Sequence, residues 1–451
     1  MHPPQGGASR KPRKYTIEPI RIPRADHTVS RANIAPGTLR VLYGLRDAGY
    51  QAFIVGGGVR DLLAGLKPKD FDVATDAHPE QIRRLFRSCR LVGRRFLIAH
   101  VRMGPEIVEV TTFRGPVSDS HERDEGGRIL SDNQYGTLEQ DAFRRDFTVN
   151  GLYYDIRDHS IVDYVGGMAD MQARRVRLIG DPELRYREDA VRMLRAVRIG
   201  NKLHFRLDQA CAEPIKRLAS LLREIPPARL FDELLKVLLS VDAVENFRAL
   251  HWFGLWRELF PDLGARLESD PGPTRAFIEA ALGNTAERIR NGQPVSPAFL
   301  FAALLWSPVQ KRMQVLASRQ AHPPAIALQQ AGEELFGRQS QRVAIPKRFS
   351  IPAREIWEMQ SRLEQGPAGR QQRLLAHPRF RAAYDFLLLR AQSGEPLQEL
   401  ADFWTTAQAD APPAAPDTGA GDPGPRPRKR RRRRGGRDRA GGPIPTGEPG
   451  N

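Results

Sequence analysis

The feature that most constrains this chain is a glycine turn followed at fixed distance by paired carboxylates. It reads Val55-Gly56-Gly57, twelve intervening residues, then Asp70-Phe71-Asp72-Val73. Ahead of it, Ala52-Phe53-Ile54-Val55 is a short apolar run of the length of a buried strand. Glycines directly after a strand let the backbone approach a ligand closely and leave amide groups free to meet phosphate. A helix through Val59, Leu62 and Leu63, stopping near Gly65, would add the positive end of its dipole. On a strand over Phe71 to Ala74, residues two apart share a face, so Asp70 and Asp72 project together while Phe71 turns inward. Two neighbouring carboxylates repel unless a cation lies between them, and Mg2+ shared with water and phosphate oxygens meets that need. Two such ions, with Mn2+ as the substitute, suit phosphoryl transfer. Asp-x-Asp alone is weak, and its bland alternative is a surface strand with exposed acids. The strand–turn–helix–strand order around it supplies the specificity.

The surrounding pattern is α+β. A helix is expected from Pro36 to Gly49, another over Pro79 to Phe86, and a strand over Ile107 to Phe113. That strand sets Glu106, Val108 and Val110 against Ile107, Glu109 and Thr111. Beyond Arg187 strand patterns largely vanish, and Ala190–Gly200, Cys211–Leu222, Ala228–Leu239 and Ala298–Leu305 read as helices with apolar stripes. A length of 451 residues implies two or three domains. The expected division is a flexible basic leader over 1–30 and a head with a small mixed sheet over 31–180. A helical neck over 181–245, a helical body over 246–408 and a disordered tail over 409–451 complete it.

A formal net charge of +17, concentrated in the tail, points to a polyanionic partner, nucleic acid before membrane. Only Cys89 and Cys211 are present, which excludes a disulfide framework or a cysteine zinc site. No apolar stretch is long enough for a bilayer and the basic N-terminus lacks a signal core, so a cytoplasmic protein is expected.

Three further stretches carry candidate chemistry. In Arg144-Arg145-Asp146-Phe147-Thr148-Val149-Asn150, two arginines beside an acid suit a triphosphate clamp, against the alternative of a solvated helix end. In Glu188-Asp189-Ala190-Val191-Arg192, the three-residue spacing places Asp189 with Arg192, and then Arg195 and Arg198, on one helix face. In the tail, Arg428, Lys429 and Arg430, Arg431, Arg432, Arg433, Arg434 form a run suited to sequence-independent attraction to a nucleic-acid backbone.

With these motifs in view, the chain resembles the polymerase-beta nucleotidyltransferase superfamily. Gly56-Gly57-Gly58-Val59-Arg60-Asp61 narrows the resemblance to its class II branch, which holds CCA-adding enzymes and bacterial poly(A) polymerases. The resemblance implies triphosphate contacts for Gly57 and Arg60, and metal binding and activation of the 3′-hydroxyl for Asp70 and Asp72. It also implies Asp146 as the carboxylate that completes the centre, with Glu109 as its competitor. Arg145, with Arg144 as a further candidate, would hold the triphosphate. Asp189 and Arg192 would present a hydrogen-bonding edge to the base, and Arg195 a further nucleotide contact.

Gly93-Arg94-Arg95-Phe96, Asp163-Tyr164-Val165-Gly166-Gly167 and Ile225-Pro226-Pro227-Ala228-Arg229 resemble the poly(A) polymerase side of the branch. Template-independent addition of AMP from ATP to RNA 3′ ends is therefore implied, with RNA decay as the biological setting. RNA-decay or RNA-chaperone proteins are the accessory partners it suggests. The alternatives are a CCA-adding enzyme acting on tRNA and a non-catalytic RNA-binding protein on the same fold.

Overall fold

Apolar strands and amphipathic helices segregate along this chain, and the three-dimensional structure follows that order. A computed structural model describes residues 18–93, 97–115, 134–269, 271–320, 322–366 and 371–409, all within one compact unit. The arginine-rich run, and Arg94, Arg95 and Phe96 of the Gly-Arg-Arg-Phe element, lie outside the described residues.

The strands β1 (Ile20–Ile22), β2 (Ala52–Val55), β3 (Asp72–Thr75), β4 (Cys89–Val92), β5 (Ile98–Met103), β6 (Glu106–Thr112), β7 (Leu152–Asp155) and β8 (Ile161–Asp163) make one sheet. Its order is β1-β8-β7-β2-β3-β6-β5-β4. Only β3 and β6 run parallel; the other neighbours are antiparallel. The sheet is mixed, as expected, but larger than the sequence pattern suggested. β2 is buried at every residue, which explains its unbroken apolar run. β6 alternates: Val108 and Val110 are buried while Ile107 and Glu109 face outward.

The expected leader over 1–30 is corrected by the structure. Within it Ile20–Ile22 adds an edge strand to β8, and Val29 and His27 are buried. Three residues are too short to announce themselves by periodicity, and only pairing to β8 makes them a strand. Pro79–Leu85 and Pro36–Asp47 form helices close to the expected bounds, the latter ending before Gly49 at φ 89°.

From Val191 onward the described chain is almost wholly helical. Val191–Leu203 and Pro227–Leu238 match two expected segments to within a residue at their starts, the third, Cys211–Leu222, is split into Gln209–Leu218 and a 3-10 turn Ala219–Glu224, and Pro297–Gln320 runs well past the fourth. Their stripes join a core that holds Trp256 and Trp357, while Trp404 centres a second cluster with Leu363 and Phe380; all three are fully buried and donate their indole N–H groups to the Phe247, Ala302 and Leu363 carbonyls. No described helix is long and apolar enough to cross a membrane.

The Asp163-Tyr164-Val165-Gly166-Gly167 element is an architectural corner. The buried Asp163 ends β8 and accepts from the backbone N–H groups of Val165, Gly166, Gly167 and Met168 at 2.9–3.0 Å. Gly166 sits at φ 78°, and a Cβ on Gly167 would collide with the Thr148 carbonyl. Asp163→Ala leaves four backbone donors without their acceptor, one of them buried and three part-buried, and is expected to cost about 2–3 kcal/mol, read by urea unfolding. Asp163→Asn, which keeps one acceptor, should lose less.

Candidate active site

β2 delivers the chain to Gly56, whose φ of 72° and ψ of −133° only glycine adopts without strain. The helix Gly57–Leu63 starts at once, and the chain returns as β3 antiparallel to β2, with Val55 opposite Asp72. Phe71 is buried and packs so closely on Gly58 that a Cβ there would approach its ring at 2.9 Å. This contact holds the turn against the start of β3. Asp70 lies just ahead of the strand and Asp72 opens it; both are exposed on either side of buried Phe71.

Asp72 is in parallel register with Glu109 of β6. Its carboxyl is held above the ordinary range, by desolvation first and then by repulsion from Glu109 and Asp70, while Arg145 opposes the rise. Three carboxylates are thus crowded on one rim of the sheet, a setting that favours a bound cation. Glu109 has His100 Nε2 at 3.6 Å. No group of three His, Cys, Asp or Glu among the described residues stands in ligating geometry. The donors present fit Mg2+ in its usual manner, through one or two carboxylates with the remaining positions left to water and substrate phosphate.

Across the turn stands Arg145. Its Nε donates to Tyr153 at 2.9 Å and its Nη2 to Asp141 at 3.0 Å. Tyr153 itself donates to the same Asp141 carboxylate at 2.6 Å. So braced, Arg145 presents Nη1 where a Cβ on Gly56 would meet it at 3.4 Å. A cation is therefore fixed between the glycine turn and Asp72. Arg144 is directed elsewhere, donating to the Gly115 carbonyl at 2.5 Å.

Arg60 and Asp146 have different surroundings from those their motifs suggest. Arg60 is buried; it donates to Asp61 at 3.0 and 2.7 Å and to Asn150 Oδ1 at 2.6 Å. Lys202 closes the other side of Asp61 at 2.6 Å. Arg60 also lies beneath Gly57, where an added Cβ would stand 3.5 Å from Nη2. Asp146 accepts from Arg195 at 2.8 and 2.5 Å through one oxygen, and from Asn150 at 2.9 Å and the Phe147 N–H at 2.8 Å through the other. Both oxygens are occupied within the protein. The acid crowding Asp72 is Glu109, which the β3–β6 register brings alongside; Asp146 is bound to the helix Val191–Leu203 instead.

Asp189 and Arg192 are each bonded to other residues of the protein. Asp189 caps the helix Pro182–Glu188, accepts the Val191 N–H at 3.2 Å, and pairs with Arg229 at 2.5 Å. Arg192 donates to Glu188 at 2.8 Å and to the Arg185 carbonyl at 2.6 Å. Arg192, Arg195 and Arg198 are each half-buried on one helix face, as their spacing requires. Arg229 is the residue that motif reasoning missed; its only sequence signal is the Ile225-Pro226-Pro227-Ala228-Arg229 stretch.

Three family models match the chain: "Poly A polymerase head domain" over 52–177, "Probable RNA and SrmB- binding site of polymerase A" over 204–267, and "Polymerase A arginine-rich C-terminus" over 320–438. Poly(A) polymerase I of Salmonella typhi is 49% identical over 403 residues, 87% of this chain and 86% of the relative. The chain belongs to the poly(A) polymerase I family. It is therefore an enzyme of the polynucleotide adenylyltransferase class. The Haemophilus influenzae poly(A) polymerase I is 43% identical over 88% of this chain and 89% of its own. Among solved structures, the Bacillus stearothermophilus CCA-adding enzyme in complex with CTP aligns with a TM-score of 0.55 and 25% identity, covering 83% of each chain. The poly(A) polymerase fold thus shares its architecture with the CCA-adding branch.

Burial pushes the Asp146 carboxyl up, but Arg195, Asn150 and the Phe147 N–H outweigh it and hold it at about 2 against an ordinary 3.8. A carboxyl depressed in the folded state stabilises above the unfolded value, and that stabilisation is lost as pH falls through the folded one. Asp146→Asn should therefore cost roughly 2 kcal/mol at neutral pH. Urea melts from pH 5 down to 2 should show the gap from wild type closing between about pH 4 and 2.

Proposed function

We propose that this enzyme adds AMP from ATP to RNA 3′ ends without a template and releases pyrophosphate. The observation that carries the reading is the crowded Asp70, Asp72 and Glu109 rim facing an Arg145 braced at the glycine turn. Acids for a cation and a fixed base for a triphosphate meet there on a poly(A) polymerase scaffold.

Asp70 and Asp72 are the metal-holding pair, with Glu109 as the third carboxylate; register and repulsion at Asp72 support it over Asp146. These carboxylates would hold magnesium, or manganese in its place, two ions being expected, whose chemistry would make the attacking 3′-hydroxyl more acidic and offset charge on the leaving pyrophosphate. The backbone of Gly57 and the guanidinium of Arg145 hold the triphosphate. Arg60 shapes the turn from below through Asp61 and Asn150. Asp146 orients Arg195, which keeps a partly exposed guanidinium for the nucleotide.

Adenine is selected by the hydrogen-bonding edges of Asp189 and Arg192, and Arg229 positions Asp189. The helical part and the tail from Arg428 to Arg434 draw in RNA by a sequence-independent charge attraction that salt weakens steeply. The tails so made mark RNA for decay in the cytoplasm.

Incubating RNA with single nucleotides tests the reading: extension with ATP alone supports it, while CTP addition followed by one A would place the chain with the CCA-adding enzymes. Asp72→Asn and Glu109→Gln should each lower the extension rate by about a thousandfold. An Asp146→Asn variant losing as much, with Glu109→Gln near wild type, would reverse the assignment of the third carboxylate. Arg229→Ala frees Asp189 to reorient, so the ratio of kcat/KM for ATP over CTP should fall about tenfold. An unchanged ratio would remove Arg229 from nucleotide selection.

A further inference from the structure

The chain has five tryptophans. Trp256, Trp306, Trp357 and Trp404 are at most 6% exposed and serve the core. Trp252, the last residue of the helix Ala243–Trp252, is 69% exposed. The Lys216 ammonium lies 4.2 Å from the centroid of its ring, a cation–π contact from the helix Gln209–Leu218. Beside it is a cavity of about 460 Å³ lined by Glu245, Arg248, Ala249, His251, Trp252 and Arg275. Arg248 and Arg275 share the single carboxylate of Glu279, at 2.5 and 2.6 Å. Three permanent cations and His251 thus face two carboxylates around one open aromatic ring.

The helix bearing Trp252 is joined to the helix Val191–Leu203, which carries Arg192 and Arg195. It packs against that helix, and Asn201 donates to the fully buried Asn246 at 2.9 Å. The ring is therefore carried by an element fixed to the arginine-bearing helix. A lone exposed tryptophan would need no explanation. A tryptophan already engaged by a lysine, on a cavity rimmed by arginines, matches how single-stranded nucleic acid is held: bases stack on aromatic faces while cations follow the phosphates.

We infer that Trp252 is a stacking platform for one unpaired base of the RNA strand, with Lys216, Arg248 and Arg275 placed to meet the flanking phosphates. This deepens the reading above, since it rests on RNA being the acceptor; no residue-level RNA contact is otherwise assigned in the 204–267 region. Unpaired RNA is favoured over a protein partner because every ionic group nearest the ring except Glu245 and Glu279 is basic.

Intrinsic fluorescence of the full chain tests this, because the one exposed indole dominates any change caused by a surface ligand. Titration with a short unstructured RNA, without ATP, should quench the emission, and a duplex of equal length should quench far less. By anisotropy of labelled RNA, Trp252→Ala should bind on the order of tenfold more weakly. Trp252→Phe, which keeps a ring, should recover most of that loss, and thermal unfolding of both variants should match wild type. RNA binding by Trp252→Ala equal to wild type, or bound RNA that leaves the emission unchanged, would overturn the platform and leave the face to a protein partner. Failure of the wild type itself to bind RNA would instead sink the acceptor assignment, so the two failures are told apart.

Discussion

The Asp146–Arg195 bridge is the joint on which the site depends. It is charge-assisted, two-pronged and mostly shielded from water, so it is worth more than an exposed ion pair. Through Asn150 the same carboxylate reaches Arg60, and through Arg60 the Asp61–Lys202 pair. Glycine turn, Arg-Arg-Asp segment and the arginine-bearing helix are thereby one polar unit. Its two ends anchor on that helix at Arg195 and Lys202, two turns apart. Removing Asp61 or Arg195 would leave a shielded charge without its ionic partner, so motifs distant in sequence are held in a common geometry.

Around this joint the charges are sorted by what supports them. Asp70 lies just ahead of β3, Asp72 opens it and Glu109 is mid-strand in β6, where the β3–β6 register holds the acids close despite their repulsion. The bases are held by dedicated partners: Arg145 by Asp141 and Tyr153, Arg192 by Glu188, and Arg185 through the carbonyls of Arg144 and Arg145. The last of these matters for the whole. Arg185 grips the backbone at the two predicted triphosphate arginines, so the segment that precedes Asp189 also fixes the Arg144–Arg145 backbone.

Much of this was readable from the residues. β2 and the turn after it announced themselves by an apolar run closed by glycines, and β6 by its strict alternation. The helical stripes after Val191 were equally plain. What escaped were short strands such as Ile20–Ile22 and Ile161–Asp163, which exist only because a neighbour pairs with them. The candidate residues were found by type and spacing, but their partners were not. Asp189 and Arg192 share a helix face by count, yet each is bonded to a third residue.

By itself, then, the sequence determined the glycine turn, the acids two apart, the helical arginine face and the family they imply, because each is set by local periodicity or by residue type. Tertiary structure alone decided which charges meet. Parallel pairing of β3 with β6 put Glu109 beside Asp72, 37 residues earlier in sequence, and packing of distant helices put Arg195 on Asp146 and Arg229 on Asp189. Such contacts depend on long-range register and crossing geometry, in which many elements must agree at once, and no local pattern encodes them.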